Sequence, residues 1–316
     1  MENNKSNKYL EEIQMKFEKK DLGLDQGLKR EWIITNGIGG YSASTIIGAN
    51  TRKYHGLLIS PLSAPARRHL ILSKLDESIV LDGRKHELYT NVCKNYVSQG
   101  FKYLESFSKE ILPVFKYKVE DTEITKAICM QYGKNTVEVY YKIRNGNSKA
   151  KLELAPIFNF RDFHSMNTNH NFELTQEVKS NKIKLVIDKN ISHPVYMKTS
   201  EGNYTQHINN IFYNMFYIEE EKRGFYPEEN HVVSGVFEID IAPNEEKDIS
   251  FICSMEENID EIDAKALINN EIIRMNKIYN ESLLIYNAKE NKTKEEIEKD
   301  ELVRKYLIAA DNFVVY

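Results

Sequence analysis

Residues 48–55, with the sequence GANTRKYH, hold the densest group of side chains that could bind a polyhydroxylated ligand. Asn50 offers a donor and an acceptor in one plane, and Arg52 offers a rigid fork of donors. Tyr54 presents a flat apolar face with a polar end, and His55 adds a second planar ring. Vicinal sugar hydroxyls suit planar bidentate partners, and the C–H face of a pyranose suits an aromatic platform. These four side chains are therefore candidate sugar-binding residues.

The sequence on both sides of this polar cluster predicts strands. STIIGAN (44–50) and YHGLLIS (54–60) are interpreted as two strands joined near residues 48–51, a hairpin with the polar cluster at or near its tip. The alternative explanation of the same residues is a solvated hairpin tip that binds no ligand. Because a tip lies outside the core, truncation of Arg52 or His55 is expected to open no cavity.

Three glycines precede the cluster in TNGIGGYS, residues 35–42. A dinucleotide loop requires G-x-G-x-x-G, and Ser42 occupies the position of its last glycine. The Gly-Lys-Ser/Thr sequence of a phosphate-binding P-loop is also missing here. We therefore expect Gly37, Gly39 and Gly40 to serve backbone conformations with positive φ in a tight loop, and we predict no cofactor.

Two later stretches could extend a sugar-binding surface. Arg161 and Asp162 follow an apolar run and precede His164, and Arg223 opens a turn-rich stretch that contains adjacent glutamates. The alternatives are a structural Arg–Asp pair at a strand end and an exposed acidic loop. Arg161, Asp162 and Arg223 are kept as candidate substrate-binding residues. No two histidines have the i,i+4 spacing of a helical metal site, so no metal is predicted.

The elements that must position these residues are mostly strands. From about residue 70 to residue 254 apolar residues recur with a period of two, and turn sequences such as Asn145-Gly146-Asn147 separate the runs. After residue 258 the spacing of Ile268, Ile272, Met275 and Tyr279 follows one face of a helix. The predicted fold is mainly β, a large antiparallel β-sandwich followed by C-terminal helices. The charged run at residues 289–301 is interpreted as a solvated linker or exposed helix turn.

Composition excludes several classes of function. The 316 residues carry 43 basic and 47 acidic side chains, a net charge of −4, with no basic patch, so no nucleic-acid partner is expected. The polar start lacks a signal-peptide core, and no apolar run approaches the roughly 18 residues of a membrane span, so no membrane partner is expected. Three widely spaced cysteines predict neither disulfides nor a zinc site and favour a cytoplasmic location.

The longest motif, EWIITNGIGGYSASTIIGANTRKYHGLLIS at residues 31–60, is followed by ILSKLDESI at residues 71–79. Together they resemble the N-terminal domain of bacterial and archaeal-type glycogen debranching enzymes, the amylo-α-1,6-glucosidases. Weaker echoes of that family are PIFNFRDFH (156–164), EKRGFYPEEN (221–230) and RKYLIAADNFVV (304–315).

The resemblance implies a galactose-mutarotase-like supersandwich at residues 1–256, a helical linker at 257–300 and the start of an (α/α)₆ catalytic barrel at 301–316. It implies an α-glucan as substrate and the chain's own C-terminal barrel as partner. The hydrolytic carboxylates would lie in that barrel, so no catalytic residue is assigned to these 316 residues. A glucanotransferase TIM barrel is not expected, because strands and helices do not alternate along the chain.

Three functions remain open on the sequence. The first is a non-catalytic half of a debranching hydrolase that lends loops to glucan binding. The second is an autonomous α-glucan-binding module. The third is a sugar epimerase-like sandwich enzyme, with His164 or His55 as general acid and a glutamate as base. A large sandwich is compatible with all three, because a fold does not specify a function.

Overall fold

The strands and helices agree with the predicted change of period along the chain. The computed structural model describes residues 16–169, 172–187, 193–290 and 301–315. Its strands are β1 (Lys16–Glu18), β2 (Glu31–Thr35), β3 (Tyr41–Thr45), β4 (Gly56–Ser63), β5 (Ala66–Leu81), β6 (Arg84–Glu87), β7 (Val92–Cys93), β8 (Tyr96–Val97), β9 (Leu104–Lys109), β10 (Pro113–Val119), β11 (Thr122–Met130), β12 (Thr136–Arg144), β13 (Ala150–Asp162), β14 (Thr175–Lys179), β15 (Lys182–Val186), β16 (Val195–Thr199), β17 (Asn203–Gln206), β18 (Ile211–Phe216), β19 (Glu228–Val233), β20 (Gly235–Ile241) and β21 (Glu246–Ser254). Its α-helices are α1 (Leu24–Gly27), α2 (Ile218–Lys222), α3 (Ala264–Glu290) and α4 (Glu301–Asp311), and 3₁₀ turns lie at Lys19–Asp21, Gly100–Tyr103 and Ile259–Glu261.

The strands form two antiparallel sheets. Sheet A has nine strands in the order β1-β9-β10-β11-β12-β21-β16-β15-β14. Sheet B has twelve strands, with the main order β2-β3-β4-β5-β13-β19-β18-β7-β8, while β20 joins β13 to β17 and β6 pairs with β5. The predicted fold class, mainly β with antiparallel sheets followed by C-terminal helices, is confirmed.

The main hydrophobic core lies between the two sheets. Strand β12 shows how the period of two builds it, because Val137, Val139, Tyr141 and Ile143 all point into this core. Aromatic rings join the sheets directly: Phe237 of β20 contacts Phe251 of β21 with ring centroids 5.9 Å apart. The other face of β12 is therefore free to carry polar groups or a second layer.

That second layer is formed by the C-terminal helices on the outer face of sheet A. Leu267, Ile268 and Met275 of α3 pack with side chains of β10–β12 in a smaller apolar cluster. The helical spacing predicted for residues 268–279 is thus confirmed within α3.

The predicted domain limits stay predictions, although the last strand ends at Ser254 before α3 begins. Residues 1–15 and most of the predicted charged linker, residues 291–300, lie outside the described residues. None of the helices in the described part of the chain is long and apolar enough to cross a membrane.

The glycine-rich loop between β2 and β3 is tight, as expected. Gly37 and Gly39 have φ values of 74° and 93°, which β-carbon-bearing residues rarely adopt. A Cβ on Gly37 would also lie 2.5 Å from the ring of Tyr132. The expectation of positive φ is wrong for Gly40. Its backbone instead lies so close to the Asn36 amide that a Cβ would come within 2.5 Å of Asn36 Nδ2.

One ion pair lies inside the sandwich core. Lys126 of β11 contacts Glu77 of β5 across the two sheets, and the Tyr141 hydroxyl donates to Glu77 Oε1 at 2.8 Å. Lys126 also lies 5.4 Å from the centre of the Phe115 ring, a cation–π distance. Both charged side chains are buried, so each depends on the other to compensate for its lost hydration.

We predict that Lys126→Met lowers the free energy of unfolding by about 3–5 kcal/mol, because Glu77 would remain buried without its cation. Urea denaturation measures the effect. The matched control is Arg144→Met at the exposed Arg144–Glu246 pair, where a loss below about 1 kcal/mol is expected. Equal losses in the two variants would contradict the assignment of Glu77 and Lys126 as a buried, mutually dependent pair.

Candidate functional site

The segment between β3 and β4 is a buried loop rather than the predicted hairpin tip. Strand β3 ends at Thr45, and residues 46–55 form a loop before β4 begins at Gly56. Ile46 and Ile47 are consecutive, so they cannot alternate as a strand requires, and both enter the main core. The interpretation of residues 44–50 and 54–60 as two strands of a hairpin is therefore correct only in part: β3 and β4 pair as antiparallel neighbours, but residues 46–50 and 54–55 lie in the loop, which the burial of this apolar pair draws into the core.

Two of the candidate residues are held inside this loop. The Asn50 side chain accepts a hydrogen bond from Ser44 Oγ at 2.9 Å and donates to the Ser73 carbonyl at 3.2 Å. His55 is only 3% exposed, and its Nδ1 accepts from the Thr51 amide at 3.1 Å. The expectation that removing His55 opens no cavity is therefore wrong, since its ring is buried.

Arg52 and Glu31 form an ion pair at the edge of this loop. Arg52 Nε lies 2.7 Å from Glu31 Oε1, and His55 Nε2 lies 3.7 Å from the same oxygen. Partial burial alone would raise the pKa of Glu31, but the hydrogen bonds and charges of His55 and Arg52 outweigh it and lower that pKa to about 2. Arg52 thus has a carboxylate partner on β2, in addition to Glu219 at 3.9 Å.

Tyr54 belongs to a group of rings at the surface of the loop. Its ring meets Phe163 edge-on at 5.5 Å and His164 at 5.7 Å. Its hydroxyl lies 3.2 Å from His164 Nδ1, and its carbonyl accepts from the Tyr41 hydroxyl at 2.9 Å. These contacts fix the orientation of Tyr54 and leave its ring half-buried.

Lys53 connects this group of rings to the segment after α2. Its ammonium donates to the His164 carbonyl at 2.6 Å and lies 5.3 Å from the Tyr54 ring and 5.6 Å from the Phe225 ring. Arg223 lies over the same Phe225 ring at 5.3 Å. Phe225 is 55% exposed and its neighbour Tyr226 is 60% exposed. We call Lys53, Tyr54, Phe163, His164, Arg223, Phe225 and Tyr226 the aromatic–cationic surface.

Arg161 lies beneath this surface and forms hydrogen bonds to two of its segments. It is 6% exposed, and its guanidinium forms a two-pronged ion pair with Glu229 of β19, with Nη2 2.9 Å from Oε2. The same Nη2 donates to the Lys53 carbonyl at 2.7 Å. Nη1 donates to the carbonyls of Asp162 and Phe163, both at 3.2 Å. One side chain thereby ties the loop to the end of β13.

A buried hydrogen-bond chain continues from this ion pair. The Tyr217 hydroxyl donates to Glu229 Oε2 at 2.6 Å, so it can accept from His231 Nε2 at 3.2 Å. Asn159 Nδ2 lies 3.3 Å from His231 Nδ1, which then acts as the acceptor. These roles place the proton of a neutral His231 on Nε2. Burial keeps the ring neutral and lowers the pKa of His231 to about 4.

Helix α2 closes the loop on its other side. Glu220 is buried, accepts from the Lys53 amide at 3.3 Å and contacts Arg223 Nη1 at 3.4 Å. The Glu219 amide donates to the Thr51 carbonyl at 3.0 Å. Backbone and side-chain contacts of α2 therefore fix the loop next to the exposed Phe225.

The structure brings most of the sequence-predicted residues into one region. Six candidates fall into two neighbouring sets. Arg52 and His55 share Glu31. Tyr54, Arg161, Asp162 and Arg223 are linked through Lys53, His164 and Glu220. Asn50 lies at the inner end of the same loop, on Ser44 and Ser73. Asn50, His55 and Arg161 are buried and bonded within the protein, so their predicted contact with a ligand stays a prediction, and the accessible groups are their neighbours.

Sequence reasoning missed several of those accessible neighbours. The sequence pattern did not predict a binding role for Lys53 within the cluster or for Phe163 beside Arg161 and Asp162. Phe225 and Tyr226 follow the positive-φ Gly224, and two adjacent aromatics after a turn glycine were an available signal for exposed rings. Nothing local could have shown that Phe225 meets Lys53, because 172 positions separate them.

We predict that Arg161→Met destabilises the protein by about 3–5 kcal/mol, because Glu229 would be left buried without its cation. The control is Arg84→Met, whose exposed guanidinium contacts the exposed Glu120 at 3.0 Å. That change is expected to cost less than about 1 kcal/mol in urea denaturation. A small loss for Arg161→Met would contradict its role in holding the site together.

The His231 network predicts a dependence of stability on pH. The native pKa of about 4 lies below the unfolded value of 6.5, so this contribution is full above pH 6.5 and is lost as pH falls toward 4. The loss amounts to about 3 kcal/mol over that window. His231→Gln is expected to flatten the slope in urea titrations, whereas His207→Gln, outside the network, is expected to leave it unchanged. An unchanged slope in His231→Gln would contradict the assignment.

Comparisons with known proteins are consistent with the motif at residues 31–60. The chain matches the family described as "Glycogen debranching enzyme N terminal" over residues 30–248. No curated protein sequence matches the chain.

Solved structures show weaker similarity. A bacterial glucoamylase in complex with acarbose shares 14% identity at a TM-score of 0.36, covering 85% of this chain and 37% of that one. A human-microbiome protein assigned as a kojibiose phosphorylase shares 9% identity at a TM-score of 0.30, covering 89% and 31%. An Escherichia coli K12 protein assigned as an aldose 1-epimerase shares 9% identity at a TM-score of 0.38, covering 71% and 98%. The chain thus spans about a third of the length of the first two proteins. On the family match, which includes the whole aromatic–cationic surface, the chain belongs to the glycogen debranching enzyme N-terminal domain family.

Proposed function

We propose that this chain is the non-catalytic N-terminal part of a cytoplasmic glycogen debranching enzyme and that its aromatic–cationic surface binds α-glucan. In this proposal an (α/α)₆ domain supplied by the same enzyme hydrolyses the α-1,6 linkages, and the N-terminal domain holds the glucan beside it. The observation that carries the proposal is the convergence of three distant segments on one accessible group of rings and cations. These segments are residues 52–55, 161–164 and 223–226.

The chemistry of this surface suits a neutral sugar. Exposed aromatic faces can stack against the C–H face of a pyranose, and Phe225 and Tyr226 are more exposed than Tyr54 and Phe163 of the same surface. Lys53 and Arg223 bring N–H donors beside those rings, where sugar hydroxyls would lie. The Arg161–Glu229 ion pair below reduces the conformational freedom of the surface, so less entropy is lost when a ligand binds.

The carboxylates at this surface support a binding role rather than hydrolysis. Glycoside hydrolysis needs one carboxylic acid that can give a proton and one carboxylate that acts as base or nucleophile. Glu31 and Glu229 each face an arginine; burial alone would raise their pKa values, but the arginines, with histidine and tyrosine partners, keep those values low. Neither is suited to act as a general acid near neutral pH.

The epimerase alternative is not favoured by the same geometry. Such an enzyme needs an acid and a base that reach a common substrate. Glu229 and His231 are close, at 3.6 Å, but both side chains are fully buried beneath the loop. His55 is buried as well, and the carboxylate of Asp162 meets the exposed His164 at its backbone amide rather than at its ring.

Glucan binding by the purified chain tests the proposal. Phe225→Ala is expected to weaken the affinity for maltoheptaose about threefold to tenfold in isothermal titration calorimetry, with an unchanged melting temperature. Tyr306→Ala is the matched control, because this exposed aromatic lies on α4. Wild-type affinity in Phe225→Ala, or equal losses in both variants, would contradict a specific glucan site.

We also predict that the purified chain releases no glucose from a branched limit dextrin, because the ion pairs of Glu31 and Glu229 keep both carboxylates ionised. A coupled glucose assay measures release. Turnover that survives repeated purification and is abolished by Glu31→Gln, with an unchanged melting temperature, would show that the surface itself is catalytic and would overturn the assignment of a non-catalytic domain.

A further inference from the structure

A carboxyl group is buried beneath α3 without a hydrogen-bond partner. Glu138 of β12 is 0% exposed, and neither of its side-chain oxygens has a partner within the described parts of the chain. It lies on the outer face of sheet A, because its strand neighbours Val137 and Val139 point into the main core. An ionised carboxylate at such a position loses its hydration and gains nothing in return.

The described neighbours of Glu138 offer it no compensating charge. Cys129 is its cross-strand neighbour, and Tyr140 follows two positions along β12; both belong to the apolar cluster that also contains Leu267 and Ile268 of α3. The charged group that acts on Glu138 is the carboxylate of Asp263, just before α3, and it is repulsive.

The other charged groups of α3 near this face are engaged with other partners. Lys265 lies 2.6 Å from Asp248, which also accepts a hydrogen bond from Tyr140. Arg274 lies 2.7 Å from Glu271 and 2.7 Å from Asp311 of α4. Neither of these two cations of α3 is therefore free to neutralise Glu138. Burial, with a smaller contribution from Asp263, raises the pKa of Glu138 well above its ordinary value.

We propose that Glu138 is a protonation switch for the docking of α3: the neutral carboxyl permits docking, and ionisation favours release of the first turns of the helix. Release would let water reach the carboxylate without breaking the main core, because the cluster under α3 is separate from the core between the sheets. The switch lies where the sandwich connects to the C-terminal helices, so it would change how those helices are held. This proposal is independent of glucan binding.

The direction of the pH dependence follows from the docked state. The docked pKa lies above the undocked value of 4.5, so docking is strongest below about pH 4.5 and weakens as pH rises toward the docked pKa. Over that window the population of the released form grows up to about tenfold per pH unit. Above the docked pKa the population no longer changes.

Cys129 reports on release, because it lies under α3 beside Glu138 and is buried. Cys253 is the internal control, since it is buried in the main core between the sheets. The experiment measures modification of each cysteine by methyl methanethiosulfonate between pH 5 and 8, resolved by peptide mass spectrometry. Each rate is divided by that of the urea-unfolded chain at the same pH, which removes the ordinary titration of the thiol.

We expect the protection of Cys129 to fall with rising pH while that of Cys253 stays constant. In Glu138→Gln the protection of Cys129 should no longer depend on pH, whereas Glu123→Gln, an exposed glutamate on β11, should behave as wild type. Glu138→Met serves as a second neutral variant if the amide prevents folding. Three outcomes would overturn the proposal: constant protection of Cys129 in the wild type, an unchanged pH profile in the neutral variants, or a parallel fall at Cys253.

Discussion

The Arg161–Glu229 ion pair is the interaction on which the proposed site depends. Two charged side chains are removed from water, and their mutual two-pronged contact compensates for the lost hydration. The geometry of this pair leaves the remaining donors of Arg161 pointing at three backbone carbonyls from two segments. Removal of either partner would leave the other charge buried, and removal of Arg161 would also take the donors away from those carbonyls. A single interaction thus couples the stability of sheet B to the position of the loop above it.

The layers around this ion pair explain why the surface above it can be both polar and ordered. Below it, the side chains of Tyr217, His231 and Asn159 are hydrogen-bonded to one another and to Glu229, so this buried network does not depend on hydrogen bonds to water. Beside it, Glu220 of α2 holds the Lys53 amide and contacts Arg223. Aromatic rings and cations can then remain partly exposed without collapsing into the core. We infer that buried charge serves the placement of surface groups more than net stability, since burial of charge is costly in itself.

Much of the fold could be predicted from local patterns, because a period of two or of 3.6 is a local property of the chain. The alternation at Val137, Val139 and Tyr141 indicated a strand and the face it buries, and the turn at Asn145-Gly146-Asn147 separates β12 from β13 as expected. Helix α3 followed from spacing alone. The loop at residues 46–55 could not be predicted in this way, because its conformation depends on core space that receives Ile46 and Ile47.

The sequence predicted which segments form the candidate site, but it did not predict which role each residue has there. The resemblance and the polar residue types selected Arg52, Tyr54 and Arg161, which the structure brings into one region. Which of them reach solvent depends on partners far away in sequence, such as Glu229, which is 68 positions from Arg161. Local chemistry therefore predicted a ligand contact for Arg161, although the donors of its guanidinium already form hydrogen bonds within the protein. The exposed rings of Phe225 and Tyr226 carry that contact in the present proposal.

Amide hydrogen exchange with and without saturating maltoheptaose tests the central claim most directly, because it reports on every segment at once. The sugar is expected to slow exchange together in residues 52–55, 161–164 and 223–226, which lie far apart in sequence and meet at the aromatic–cationic surface. Exchange in the outer strands of sheet A should remain unchanged. Protection confined to sheet A or to the C-terminal helices, or no protection despite measured binding, would contradict the claim that this surface holds the glucan.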